Sequence, residues 1–191
     1  SFANMGTKVD WNSFSGTLNG LLFGKPLPFE LESAVSTVKA KPDMTIKDQM
    51  QTAIGQGETL VSPLHMNMIT CAIANDGKLQ HPYVVDHVEN ANGAVIKRFS
   101  SSGSTKMMSE QESYILQGLM REVVESGTAT RMKDQSYTAA GKTGSAEYNS
   151  ERDSHAWFTG FAPVEDPQIC VTVIIEGAGS GGDYAVPMAR R

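Results

Sequence analysis

The sequence is poor in cysteine, lacks any long apolar run and carries no surplus of positive charge. Its two cysteines, Cys71 and Cys170, stand far apart in apolar contexts and read as buried free thiols, with an oxidising compartment left open. No apolar stretch approaches the length of a bilayer-spanning helix, and no signal peptide opens the chain. Sixteen Lys and Arg against 21 Asp and Glu leave a formal net charge of −5, which argues against a general nucleic-acid binder. The four histidines, His65, His81, His87 and His155, show no i,i+4 pairing and no carboxylates at ligand spacing, so no metal is expected. Gly177 to Gly182 is glycine-rich but has neither a G-x-G-x-x-G nor a P-loop pattern, and no phosphate-bearing cofactor is expected there. No internal repeat is present. An initiator Met is missing too: the chain starts at Ser1-Phe2-Ala3-Asn4, as an excised piece would.

What is present is ordinary for a folded soluble protein, with 40% apolar and 19% charged residues over 191 positions. That length suits one domain with a sizeable core, or part of a larger one.

Helix signals are clear in four places. Phe2, Met5 and Val9 could finish a helix begun upstream. Thr45 with Asp48 predicts a capped helix to about Ala53, broken by Gly55-Gln56-Gly57. Ser62-Pro63 is a hydroxyl N-cap with proline at the first helical position. Leu64, Met68, Ile69, Ala72 and Ile73 follow as an apolar stripe, and Asn75-Asp76-Gly77 stops it. Ser109 with Glu112 is a full capping box, and its helix is expected to bury Ile115, Leu116, Leu119, Met120, Val123 and Val124. By contrast Trp11 to Phe29, with its glycines and prolines, predicts an irregular connection packed by aromatics.

Strands are expected over Tyr83–Val88 and Ala94–Phe99, joined at Asn90-Ala91-Asn92-Gly93 as a hairpin, with Ser100–Ser104 a flexible loop. Three more come later in the chain: the stretch around Gly141, His155–Pro163, and Ile169–Ile175, the last read as buried. A helical turn begins at Tyr184. Short connections favour three antiparallel neighbours with helices packed on the faces, an α/β fold of the α+β type. Trp157, Phe158 and Phe161 read as core. His65 reads as a packing or capping residue, and His155 either as a hydrogen-bonded structural histidine or as a residue bordering a cleft.

The chemistry concentrates in Ala140-Gly141-Lys142-Thr143-Gly144-Ser145-Ala146-Glu147. Glycine within a strand marks a close approach by a ligand or another backbone. A lysine with hydroxyls at Thr143 and Ser145, beside such a backbone, suits an anionic acyl substrate.

Five stretches then coincide in order: Ala53-Ile54-Gly55-Gln56-Gly57, Val61-Ser62-Pro63-Leu64-His65-Met66 with Ala72-Ile73-Ala74-Asn75-Asp76-Gly77, Ser126-Gly127-Thr128-Ala129, the Lys-Thr-Gly strand, and Trp157-Phe158-Thr159-Gly160-Phe161-Ala162-Pro163. Lys-Thr-Gly is one of three motifs shared by serine β-lactamases and penicillin-binding proteins. Together these stretches resemble the C-terminal part of the transpeptidase domain of a class B penicillin-binding protein, strongly from about residue 45 and weakly from residue 1.

The resemblance implies a β-lactamase/transpeptidase-like fold, incomplete at its N-terminal side, with residues 1–191 the C-terminal portion of the domain. It implies cross-linking of peptidoglycan stem peptides ending in D-alanyl-D-alanine by serine acyl transfer, with β-lactams acylating the same serine. In the family the nucleophile sits in S-x-x-K and a second serine in S-x-N. Lys142 would lie beside that second serine, lending charge and helping proton transfer. The Thr143 and Ser145 hydroxyls would hold the substrate carboxylate. The Ser145 N–H would be one oxyanion donor, and Gly144 would be small because substrate lies against that edge. The implied location is the extracytoplasmic face of the bacterial membrane, anchored by a segment outside this chain.

Two departures are severe. There is no S-x-N, and the one S-x-x-K, Ser36-Thr37-Val38-Lys39, falls too late to hold the nucleophile. Ser1-Phe2-Ala3-Asn4 instead resembles the family's residues just after S-x-N, so the nucleophile is expected upstream and this chain alone is expected to be inactive. Its missing complement would be the N-terminal piece of the same protein or a second copy. Alternatives are a class D β-lactamase, a β-lactam-sensor domain, or a non-catalytic binding module of the same fold.

Overall fold

Three strands form the centre of the molecule in the computed structural model, which describes residues 2–148 and 151–191. They are β5 (Ala140–Ala146), β6 (His155–Ala162) and β7 (Ile169–Ile175), antiparallel in the order β5-β6-β7. The register pairs Lys142 with Thr159 and Thr159 with Thr172. Because side chains alternate across a strand, Lys142, Thr159, Thr172 and Cys170 share one face, and Thr143, Phe158 and Val173 the other.

Each face is covered by helices. The Lys142 face packs Ala140 and Phe161 against Ile73 of α4 (Pro63–Ala74) and Met120 of α5 (Glu110–Glu125). The opposite face packs Ala156 and Phe158 against Val124, Met132 and Val186, the last on α6 (Ala185–Ala189). This is the antiparallel sheet between helical layers that the sequence predicts. Three hydroxyls bridge the first interface in a row: Thr70 of α4 lies 2.6 Å from Thr159, which lies 2.7 Å from Thr172.

The helices begin where their caps place them. The Ser62 hydroxyl accepts from the His65 N–H, Thr45 accepts from the Asp48 N–H to open α3 (Ile46–Ala53), and Ser109 and Glu112 cap each other reciprocally. The hairpin is formed by β2 (His87–Glu89) and β3 (Val95–Arg98), its first strand shorter than expected. The Asn90 carboxamide closes its turn by accepting from the N–H groups of Asn92 and Ala94.

Four expectations are corrected. Trp11–Gly20 is a helix, α2, after the short α1 (Phe2–Gly6). The Asp10 carboxylate accepts from the Asn12 N–H, and Trp11 packs edge-on against Phe14 at 5.2 Å. This cap and aromatic packing outweigh the cost of Gly16, about 1 kcal/mol, and Gly20 falls at the helix's last position.

Next, Ser104–Lys106 is a strand, β4, paired with β1 (Lys78–Gln80). Leu79, 2% exposed, fixes that pair to the core. Third, α5 turns only part of the expected face inward. Leu116, Met120, Val123 and Val124 are buried or half-buried as expected, but Ile115 and Leu119 are exposed and Ser113 is buried. The cause is polar. Ile73, one residue from the end of α4, leaves a carbonyl without a helical partner, and Ser113 Oγ (2.6 Å) and Gln117 Nε2 (2.7 Å) both donate to it. Finally, β7 is half-buried rather than buried, because it is the sheet's outer strand.

Candidate active site

Among the described residues strand β5 has a single sheet neighbour, β6, so its other edge is free of strand pairing. Two carbonyls on that edge are taken by side chains. Lys142 Nζ donates to the Thr143 carbonyl at 2.5 Å, and Gln56 Nε2 donates to the Ser145 carbonyl at 3.2 Å. In an antiparallel ladder a residue's N–H and C=O point the same way. The N–H groups of Thr143 and Ser145 therefore also face the free edge, where a bound molecule could reach them.

The side chains divide between the faces. Thr143 and Ser145 line a cavity of about 310 Å³ together with Gly127, Thr128, Ser180 and Gly181. Thr143 is 9% exposed, and its hydroxyl lies 2.5 Å from that of Thr128. The Ser145 hydroxyl accepts from the Gly181 N–H at 3.4 Å. At the cavity rim Arg131 is neutralised by Asp183, at 2.8 Å. The cavity is thus hydroxyl-lined, with its one arginine already paired. Lys142 projects from the other face and meets the pair only at the strand edge, through its bond to the Thr143 carbonyl. So the structure brings Thr143 and Ser145 into one cavity and sets the Lys142 ammonium around the edge from them.

The glycines answer to the protein itself. A Cβ on Gly141 would fall 2.4 Å from the Phe158 ring, and one on Gly144 would meet the Trp157 Cβ at 3.2 Å. The loop before α6 also crosses here, since a Cβ on Gly181 would sit 2.5 Å from the Gly144 carbonyl oxygen. Close approach at these positions comes from packed side chains and loop backbone.

The other singled-out residues serve the fold. Ser36 is 2% exposed and its hydroxyl accepts from the Ser62 N–H, bracing the cap of α4. The half-buried Lys39 is held by Glu58 (2.8 Å) and Asp48 (3.3 Å), while the Ser36 hydroxyl serves the Ser62 N–H, so Ser36 and Lys39 do not act together. His65 is fully buried, with Nε2 2.7 Å from the Leu21 carbonyl, and burial pushes its pKa down. His155 accepts from the Gly177 N–H at 3.0 Å and stacks on Tyr148 at 3.9 Å. Phe158 and Phe161 are core, as expected, and Trp157 is half-buried. Among the described residues, no group of three or more His, Cys, Asp and Glu is placed to hold a metal ion.

Sequence reasoning gives no role to Gln56 or Thr128. Each lies in a short glycine-bearing stretch, Ile-Gly-Gln-Gly and Ser-Gly-Thr-Ala, and that clustering is the signal that could have found them.

A glycine-punctuated edge strand carrying Lys-Thr-Gly-Ser, in an antiparallel sheet covered by helices on both faces, is the fold of the serine β-lactamase and penicillin-binding type. The family model for the penicillin binding protein transpeptidase domain matches residues 1–191, and the chain belongs to that family. It is 32% identical over 166 residues to the peptidoglycan D,D-transpeptidase MrdA of Haemophilus influenzae, covering 75% of this chain and 25% of that protein. The D,D-transpeptidase domain of a peptidoglycan glycosyltransferase from Eggerthella lenta superposes with a TM-score of 0.86 at 28% identity, over 99% of this chain and 48% of that one. Penicillin-binding protein A of Mycobacterium tuberculosis, solved as a ceftriaxone acyl-enzyme complex, gives a TM-score of 0.88 at 27% identity, over 99% and 44%. The chain therefore spans a quarter of the Haemophilus protein and less than half of these solved chains.

Proposed function

We propose that this chain is the C-terminal portion, residues 1–191, of the transpeptidase domain of a peptidoglycan D,D-transpeptidase acting at the extracytoplasmic face of a bacterial membrane. The supporting observation is the free edge of β5, which the Ser145 N–H faces, beside the cavity that the Thr143 and Ser145 hydroxyls line, in a chain of this family. The nucleophilic serine of S-x-x-K and the serine of S-x-N belong to the part of the domain outside this sequence.

In this reading the nucleophile's oxygen attacks the carbonyl of the penultimate D-alanine of a stem peptide. The Ser145 N–H, with the nucleophile's own N–H, stabilises the oxyanion that develops, a term typically worth 10²–10³ in rate per donor. Thr143 and Ser145 hold the terminal carboxylate. Lys142 lends positive charge and helps the proton reach the departing D-alanine. An amine of a second stem peptide then attacks the acyl-enzyme, restoring the serine and completing the cross-link. A β-lactam acylates the same serine. No cofactor enters.

Labelling by a fluorescent penicillin, read by intact mass, tests this. The full-length protein carrying this chain should gain one adduct, and its Lys142→Ala variant should lose about 10²-fold or more in acylation rate. The 191-residue chain alone should gain none. An unlabelled full-length protein, or a stoichiometric adduct on the isolated chain, would contradict the assignment. Turnover of the adduct within minutes would favour a β-lactamase instead.

A further inference from the structure

Cys71 and Cys170, remote in sequence, meet where α4 crosses the sheet. Cys170 lies on the β7 face that also carries Thr172, the face covered by α4. One helical turn before Cys71, the Asn67 carboxamide spans the junction. Its Oδ1 accepts from the Cys71 thiol at 3.2 Å, and its Nδ2 donates to the Cys170 carbonyl at 3.5 Å. The neighbouring residue Thr70 reaches Thr159 at 2.6 Å, so this turn of the helix is held to the sheet from two sides. The two thiols interact closely enough that each shifts the other's pKa. Both cysteines are free and half-buried, within reach of a small reagent.

That interaction also makes the two unequal. The Cys170 thiol lowers the Cys71 pKa, against the opposing effect of burial. The same interaction, and then burial, drives that of Cys170 up. Cys71 is the first to reach the nucleophilic thiolate form.

We propose that Cys71 and Cys170 are a redox pair that closes to a disulfide joining α4 to β7. With a low-molecular-weight disulfide as oxidant, the Cys71 thiolate attacks one of its sulfurs, forming a mixed disulfide and expelling one thiolate. The Cys170 thiolate then attacks the Cys71 sulfur and expels the second. Two protons pass from the cysteines to the two leaving thiolates; the cysteines lose two electrons and the oxidant gains them. The bond closes a loop of roughly 100 residues, a long one by the chain-entropy account. It fixes the spacing between α4 and the sheet face that carries Lys142.

The test uses this chain, equilibrated with oxidised glutathione, then unfolded and alkylated with N-ethylmaleimide. The expected product carries no maleimide, is about 2 Da lighter than the reduced chain (two hydrogens lost), and melts on the order of 10 °C higher. Dithiothreitol should restore two maleimide additions and the lower melt. Cys71→Ser and Cys170→Ser should each keep one alkylatable thiol or a single glutathione adduct, with no redox shift in the melt. Two free thiols after oxidation, two separate glutathione adducts, or a disulfide only between chains would overturn the proposal.

Discussion

Thr143 is the residue on which the candidate site turns. It is nearly buried, and its hydroxyl contacts Thr128 across the cavity that Ser145 also lines. Under the proposed function, Thr143→Val keeps the shape and removes one hydrogen-bonding group from the carboxylate cradle. Acylation of the full-length protein by penicillin should fall about ten- to a hundredfold, through a bond to a charged group worth roughly 1.5–3 kcal/mol, with the melting temperature little changed. An unaltered acylation rate would remove Thr143 from the cradle. Lys142, Thr143, Gly144 and Ser145 are readable as a group because they are consecutive. Gln56 and Thr128 are not, since what gives them meaning is a contact with residues far along the chain. Gln56 reaches a carbonyl 89 positions away. The glycines show the converse: their presence is visible in sequence, but what approaches them, the Phe158 ring and the Gly181 backbone, is decided by tertiary packing.

Among the elements, those opened by a side-chain cap are legible and the rest less so. Ser62-Pro63 and the Ser109/Glu112 box mark starts that the structure reproduces. The α2 helix hides behind its glycines because Asp10 is a cap without a capping-box partner. On α5, Ile115 and Leu119 are misplaced on the buried face because a count of apolar residues ignores an orphan carbonyl. Two donors on one buried acceptor yield a graded expectation. Ser113→Ala should cost about 1 kcal/mol, since Gln117 still satisfies the Ile73 carbonyl. Adding Gln117→Ala should cost more than the sum of the two single changes, because only then is the carbonyl left bare. Urea melts of the two singles and the double measure this, and strict additivity would show that the acceptor is otherwise served. The weakly marked strands, β1 and β4, have only three residues each and draw their pairing from Leu79.

For the molecule as a whole, apolar surface stands out. Ile169 on the edge strand β7 is 59% exposed, and on α5 Tyr114 and Leu119 are 77% and 59% exposed. An apolar cavity of about 400 Å³ lined by Tyr137, Phe161, Pro163, Ile169 and Val171 opens beside that strand. An uncovered strand edge next to apolar side chains recruits other chains. We expect the chain to self-associate or to bind its own N-terminal complement at micromolar concentration. Sedimentation velocity measures it, and a monomer across the range would show that these surfaces are tolerated in water.

The row of hydroxyls between α4 and the sheet has a built-in direction. Each threonine owns one hydrogen. Thr70 commits its own to the Met66 carbonyl at 2.9 Å, which can only accept. Thr159 must then give its hydrogen to Thr70, and Thr172 must give its hydrogen to Thr159. A single choice made inside one helix turn thus sets the polarity of a relay through three elements. Only Thr159 both gives and receives within it. Thr159→Val should therefore cost the most, about 2 kcal/mol for two bonds. Thr172→Val, which removes a giver and leaves every other hydrogen placed, should cost about half as much in thermal melts. Equal losses would mean that the relay can reverse.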